Sequence, residues 1–229
     1  MNSTDAPAID YSTCVVNKPW GYEYLMYAND LIGLWYLHLD PGASTSLHCH
    51  PKKKTGLVVL DGEGELHFLN GGQMLRPLSR VIIRPGLFHS THATGDNGIT
   101  LLEVETPRDK ENLVRLEDCY GRASKPYEGR EAFRPAGEDC LHFKTPPVGR
   151  TVSHELAGCR LSVLRAENVA EINLPTGRPN LMILDGGMTS ADGEYVLGPG
   201  DVVTPTTLHR LARCFSTPEG ISLLIIERP

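Results

Sequence analysis

The sequence predicts an all-β protein made of two copies of one antiparallel module, each a double-stranded β-helix (jelly-roll) barrel, with the second copy degenerate. Three observations predict it. Short runs rich in Val, Ile, Leu and aromatic residues recur along the chain, each closed by Gly, Pro, Asn or Asp. Helical periodicity is scarce. The chain also repeats itself: LVVLDG at 57–62 matches LMILDG at 181–186, and VIIRPGLFH at 81–89 matches DVVTPTTLH at 201–209.

In chain order, strands are expected at 33–39, 57–60, 65–69, 80–84 and 99–105, short runs rich in Val, Ile, Leu and aromatic residues that turn residues close. The best helical candidate is the charged segment 109–118, one or two turns long. From about 121 to 151 charge, Gly and Pro replace the alternation, as in GRASKPYEGREAFRPAGED, which reads as a connector lying on a surface. Strand signals return at 159–164, 181–184, 194–197, 201–204 and 221–227. The chain thus divides into a first barrel over 1–122, a connector over 123–150 and a second, degenerate barrel over 151–229.

A formal charge of −6 over 229 residues argues against a nucleic-acid partner, because neutralising phosphates needs a dominant basic surface. No run of about 18 apolar residues predicts a membrane span. The opening MNSTDAPAID has neither a basic nor an apolar targeting region, so a cytoplasmic protein with no membrane partner is expected. The six cysteines are scattered without a CxxC pair, which points to reduced thiols. Cys49 lies between two histidines, and on a strand its side chain points to the opposite face from theirs.

The segment TSLHCHPKKKTG carries the chemistry. His48 and His50 stand at i and i+2, so on a strand they share a face, together with Ser46. His89 follows the Pro85-Gly86 turn, with His92 three residues further on. Two imidazoles from one strand and a third from a neighbouring hairpin make the open cap of a metal site. The equivalent positions of the second copy are Ile172 and Leu174, and only His209 remains, opposite His89. The fold therefore does not need the histidine pair, which weakens a structural role for it.

Together, PGASTSLHCHPKKKTGLVVLDGEGEL and RPGLFHSTHA resemble the two sequence motifs of the cupin superfamily, with Gly42, His48, His50, Gly62, Gly86 and His89 at the matching positions. The resemblance implies a bicupin holding one divalent metal ion, Zn, Fe, Ni or Mn, on His48, His50 and His89, and homodimers are common in the superfamily. KPWGYEYL and LLEVETPRDKENLVRLEDCYGR further resemble the flanks of type II mannose-6-phosphate isomerases and related sugar-phosphate cupins, through Lys18, Trp20, Gly21, Arg115, Asp118, Tyr120, Gly121 and Arg122. That implies metal-assisted proton transfer between adjacent carbons of a small sugar phosphate. Two positions depart from the isomerase pattern: His48 stands where it has a glutamine, and Thr55 where it has a metal-binding glutamate. The three-histidine set left by these changes is similar to that of thiol dioxygenases and other Fe(II) enzymes.

Further candidates surround this core. Lys52 to Lys54 either form a solvated turn or bring Lys53 and Lys54, with Arg84, to an anionic substrate group. Glu103 and Glu105 share one strand face, which is either solvated or the barrel interior, where one of them, Glu103 the candidate, would replace the missing glutamate or serve as a general base. His92 and Tyr36 are the other candidate catalytic groups. Three functions fit: a sugar-phosphate isomerase or epimerase, a three-histidine Fe(II) dioxygenase, and a non-catalytic sugar-binding protein, all with a small-molecule ligand.

Overall fold

The computed structural model describes residues 10–122 and 127–229. Its first half contains strands β1 (Cys14–Lys18), β2 (Gly21–Ala28), β3 (Gly33–Leu39), β4 (Leu47–Cys49), β5 (Lys54–Gly62), β6 (Gly64–Phe68), β7 (Gly71–Leu75), β8 (Arg80–Ile83), β9 (His89–Ala93), β10 (Ile99–Thr106), β11 (Val114–Glu117) and β12 (Phe133–Pro135). They form a seven-stranded sheet, β12-β1-β2-β3-β10-β5-β8, facing a five-stranded sheet, β11-β4-β9-β6-β7. The second half adds β13 (Thr151–Leu156), β14 (Cys159–Ala166), β15 (Asn180–Gly186), β16 (Met188–Thr189), β17 (Tyr195–Leu197), β18 (Val202–Val203), helix α1 (Pro205–Leu211) and β19 (Ile221–Glu227).

The order β13-β14-β19-β15-β18 in the second half reproduces β2-β3-β10-β5-β8 of the first. Even the irregularities coincide. Leu101 pairs with Val59 and Thr100 with Asp61, skipping Leu60; Leu223 pairs with Ile183 and Ser222 with Asp185, skipping Leu184. A bulge thus sits in the same place in LVVLDG and LMILDG. The closing glycines are required there: Gly62 has φ +80° and Gly186 φ +61°, and a Cβ would lie 2.1 and 2.3 Å from the carbonyl oxygens of Gly98 and Gly220.

What the second half lacks is the other sheet. Strands β16 and β17 form a separate two-stranded ribbon. The region equivalent to β4 is a single 3₁₀ turn, Val169–Glu171, and that equivalent to β9 is α1. After β18, which lies within the strand expected at 201–204, the chain does not lead into another strand as it does after β8. Instead Thr204 caps the helix by accepting from the Thr207 N–H at 3.2 Å, with Pro205 in its first turn.

Alternation along the strands sorts side chains into three layers. Trp35, Leu37, Leu39, Leu57, Val59 and Leu101 fill the first barrel. Leu164, Leu181, Ile183 and Leu223 fill the inner face of the second half. Their neighbours in sequence, among them Leu34, Val58, Leu102, Val163, Met182 and Leu224, meet in a third cluster where the two large sheets pack face to face. The approach is close at Gly56, where a Cβ would lie 3.0 Å from Val202.

Two expectations are corrected. The segment 109–118 is a turn followed by β11, not a helix: Arg115 faces inward beside His48 while Val114 and Leu116 stay exposed, the alternation of an edge strand. The stretch after 121 does not simply lie on a surface. β12 pairs with β1, and Leu141 and Phe143 pack against the layer between the sheets.

Candidate metal centre and the cavity around it

The first barrel brings His48, His50 and His89 together. His48 on β4 and His89 on β9 are direct cross-strand partners, and His50 follows β4 on the same face as His48. Ring centroids lie 4.5 Å apart for His48 and His89, 5.0 Å for His48 and His50, and 5.8 Å for His50 and His89. The Pro85-Gly86 turn fixes the third member, because the Gly86 N–H donates to the His50 carbonyl at 2.9 Å.

Each ring is held by its Nδ1 atom against a backbone carbonyl: His48 to Ser46 at 2.8 Å, His50 to Asn112 at 2.7 Å, and His89 to Leu87 at 3.0 Å. A carbonyl only accepts, so each Nδ1 carries the proton and each Nε2 keeps a free lone pair. The three available nitrogen atoms lie within 4.8 Å of one another. Burial first, and then the neighbouring imidazoles, hold His48 well below the usual histidine range. Burial and Lys53 lower His50 to about 3, and burial lowers His89. Three converging neutral donors, each oriented by a second hydrogen bond, are what a divalent cation needs. The donor set fits a metal. Thr55 is fully buried on the interior face, and among the described residues its hydroxyl has no hydrogen-bond partner.

A cavity of about 70 Å³ opens beside the histidines. Of the candidates named from sequence, Glu103 and Lys53 line it with His48 and His50. Glu103 and Glu105 point into the barrel from β10, as Leu101 does, and the solvated alternative is excluded. Lys53 is buried against Glu105 at 3.3 Å, so it does not belong to a solvated turn. Lys110 lies 3.0 Å from Glu105 and 3.2 Å from Glu23, above the Trp35 ring at 3.5 Å.

These charges separate the two β10 carboxyls. Burial pushes Glu105 up, but Lys110 and Lys53 outweigh it and keep the group ionised. Glu103 is raised to about 7, first by burial and then by the charge on Glu105. Burial likewise opposes ionisation of Glu23, yet Lys110 and Lys18 bring it down to about 2.

The other candidates lie elsewhere. Tyr36 points into the layer between the sheets, stacked on Tyr24 at 4.9 Å, because even-numbered residues of β3 face outward. His92, three positions after His89 on a strand, falls on the opposite face and pairs in register with Glu65. Lys54 bonds Asp201 of the second half at 2.7 Å, and Arg84 is exposed on the turn after β8. Cys49 is buried behind the histidine face, and all six cysteines are free.

Further cations at the cavity come from elsewhere in the chain. Lys18, Arg115 and Arg122, singled out in the sequence only as parts of a flanking pattern, line the cavity with Glu128 and Tyr127 from the connector. Tyr127 donates to Glu23, and its ring lies 3.7 Å from Lys18 Nζ. The Lys-Pro-Trp-Gly opening was the available signal for Lys18. Nothing in composition pointed to Glu128.

Comparison with known proteins agrees with this fold. Residues 35–105 match the family described as "Cupin domain". Alginate biosynthesis protein AlgA of Pseudomonas putida is 25% identical over 115 residues, 49% of this chain and 24% of its own length, so the chain spans about a quarter of that relative. Among solved structures, a cupin-like protein from Thermotoga maritima is 19% identical with a TM-score of 0.40, covering 44% of this chain and 80% of that one. A Klebsiella pneumoniae protein with a double-stranded β-helix domain is 23% identical with a TM-score of 0.39, covering 42% and 84%. Among the described residues no helix is long and apolar enough to cross a membrane.

Proposed function

We propose that the first barrel is a metal-dependent enzyme that moves a proton on a small anionic polyol, of the sugar-phosphate isomerase or epimerase type. The observation that carries this reading is Glu103: a carboxyl raised to about 7 shares one cavity with His48 and His50, two of the three converging imidazoles, and with buried cations. A base poised near the working pH can both take and return a proton. Burial poises it first, and Glu105 adds to the effect. Held ionised by Lys53 and Lys110, it opposes a second negative charge on the same strand face. His48, His50 and His89 would hold a divalent ion, which would supply Lewis acidity. Lys18, Arg115 and Arg122 hold the anionic end, and Arg115 stands directly beside His48 in the strand register, so the two ends of one short substrate reach both. The small cavity supports a short-chain substrate over a bulky one. The test is exchange of carbon-bound hydrogen with D2O across short aldose and ketose phosphates, with metal-loaded protein and His50→Ala as control. Exchange by the parent alone, with His50→Ala folded but depleted of metal, is the expected result; no exchange with any of them refutes the reading.

A second reading has its own support. Three neutral ligands, with Thr55 where a carboxylate would bring charge, suit Fe(II) oxygen chemistry. Substrate-dependent oxygen uptake with Fe(II), absent with Zn(II), would replace the first reading.

A further inference from the structure

We propose that Glu128 is an internal anion that occupies the site for the substrate's charged group, and that binding requires its displacement. This deepens the reading above and rests on its assignment of the cavity. Glu128 comes from the connector, outside every strand of the barrel, yet its carboxylate ends among the cavity's cations. One oxygen accepts from Arg122 Nη1 at 2.6 Å and lies 3.8 Å from Arg115 Nη2. The other accepts from Lys18 Nζ. All four side chains are nearly inaccessible, at 4% for Lys18 and Arg115, 10% for Glu128 and 11% for Arg122.

The remaining acids do not replace it. Asp118 is taken up by Arg122 Nε and Nη2 and by the Arg122 backbone N–H. Glu23 is 3.5 Å from Lys18 but also serves Lys110 and Tyr127. Without Glu128, the three buried cations would face one another with Asp118 committed to Arg122 and Glu23 shared with Lys110 and Tyr127, an arrangement that favours an anion in the carboxylate's place. A carboxylate meets this need with one charge and two oxygens. A phosphate or phosphomonoester meets it with up to two charges and three oxygens, and is the stronger ligand for a lysine and two guanidinium groups. The site therefore selects for phosphate over monocarboxylate. Glu128 also accounts for the small volume of the cavity, since a ligand's charged end and this side chain cannot occupy the same place.

Inorganic phosphate is the probe, titrated into the full chain in phosphate-free buffer by calorimetry and by thermal unfolding. Glu128→Gln keeps the shape and removes the competing charge. It is expected to bind phosphate at least about tenfold more tightly than the parent, the scale of one charge-assisted hydrogen bond. Its melting temperature should start below the parent's and rise more steeply with phosphate. Glu128→Asp, which withdraws the carboxylate by one methylene, should fall between the two and serves if the glutamine variant does not fold. Equal phosphate affinity in parent and variants, or no phosphate binding by a folded variant, overturns the proposal. Neither measurement needs metal or turnover. Tight phosphate binding without hydrogen exchange would leave the displaced anion standing and remove the isomerase reading; exchange with unchanged phosphate affinity would do the reverse.

Discussion

Replacing Glu103 by Gln tests the electrostatic core of the site without relying on a substrate. In the fold the Glu103 carboxyl titrates at about 7, against 4.5 for an ordinary glutamate. The folded chain therefore holds a proton between those values that the unfolded chain has released. The sign follows from linkage. Stability contributed by this group is whole below about pH 4.5 and falls as pH rises, until it is lost above about 7. At 1.36 kcal/mol per tenfold change in proton affinity the full loss is about 3 kcal/mol. Glu103 keeps part of its surface on the cavity, so water screens some of this, and about 1–3 kcal/mol is expected. Glu103→Gln carries no ionisable proton there and should lose nothing over the same range. The assay is urea denaturation of parent and variant from pH 4.5 to 8.5 with chelator present, since a bound cation would itself favour the ionised carboxylate. The two stabilities should diverge as pH rises, the variant becoming relatively more stable. Parallel curves would mean that Glu103 is ionised throughout, and the case for it as a base would fall with them.

Two further substitutions separate buried from peripheral charge. Lys110→Met removes the shared partner of Glu23 and Glu105 and should cost about 3–5 kcal/mol in urea denaturation at pH 7, because two buried carboxylates lose compensation. Recovery of part of that loss at pH 5 would confirm the cause, and a cost below about 1 kcal/mol would contradict it. Lys54→Ala breaks a half-exposed pair with Asp201 and should cost less than about 1 kcal/mol, with phosphate affinity unchanged, since Lys54 points away from the cavity. A loss of phosphate affinity would return Lys54 to the site.

The sheet skeleton was legible because its signals are local. Strands at 33–39 and 221–227 follow near-continuous apolar runs buried on both faces, and the duplicated LVVLDG and LMILDG share a bulge and a closing glycine. His48 and His50 were legible for the same reason, since a spacing of two on a strand fixes a common face. His92 and Tyr36 failed on that rule as well. Proximity in sequence suggested a common site, yet parity sends His92 away from His89, and sends Tyr36 to the layer between the sheets while Trp35 and Leu37 face the interior. The cations were harder. Of Lys53, Lys54 and Arg84, all close to the histidines in sequence, Lys53 lines the cavity, where it is joined by Lys18, Arg115 and Arg122 from up to about a hundred residues away. Helix α1 was missed because its cap, Thr204 with Pro205, reads equally well as a turn.

Comparison of the two halves shows which elements the chemistry depends on. Both have the β3-β10-β5-β8 arrangement or its counterpart, the same bulge and the same glycine contact, so these belong to stability. The first half alone has β4 and β9, which carry all three imidazoles, and in the second half a 3₁₀ turn and α1 stand in their places. The interior carboxyl changes with them. By the matched registers, Glu103 corresponds to Ile225 and Glu105 to Glu227. A lone raised carboxyl inside a barrel without a cation would destabilise the fold as pH rises, and an isoleucine removes that penalty. The retained Glu227 has an exposed partner in Arg160, at 3.5 Å, where Glu105 has buried lysines. The three histidines, the second interior carboxylate and the buried cations therefore form one electrostatic unit. Lys53 and Lys110 compensate Glu105 from inside the first barrel, whereas its counterpart Glu227 pairs with Arg160 at the surface, so the buried lysines accompany the half that carries Glu103 and the three imidazoles.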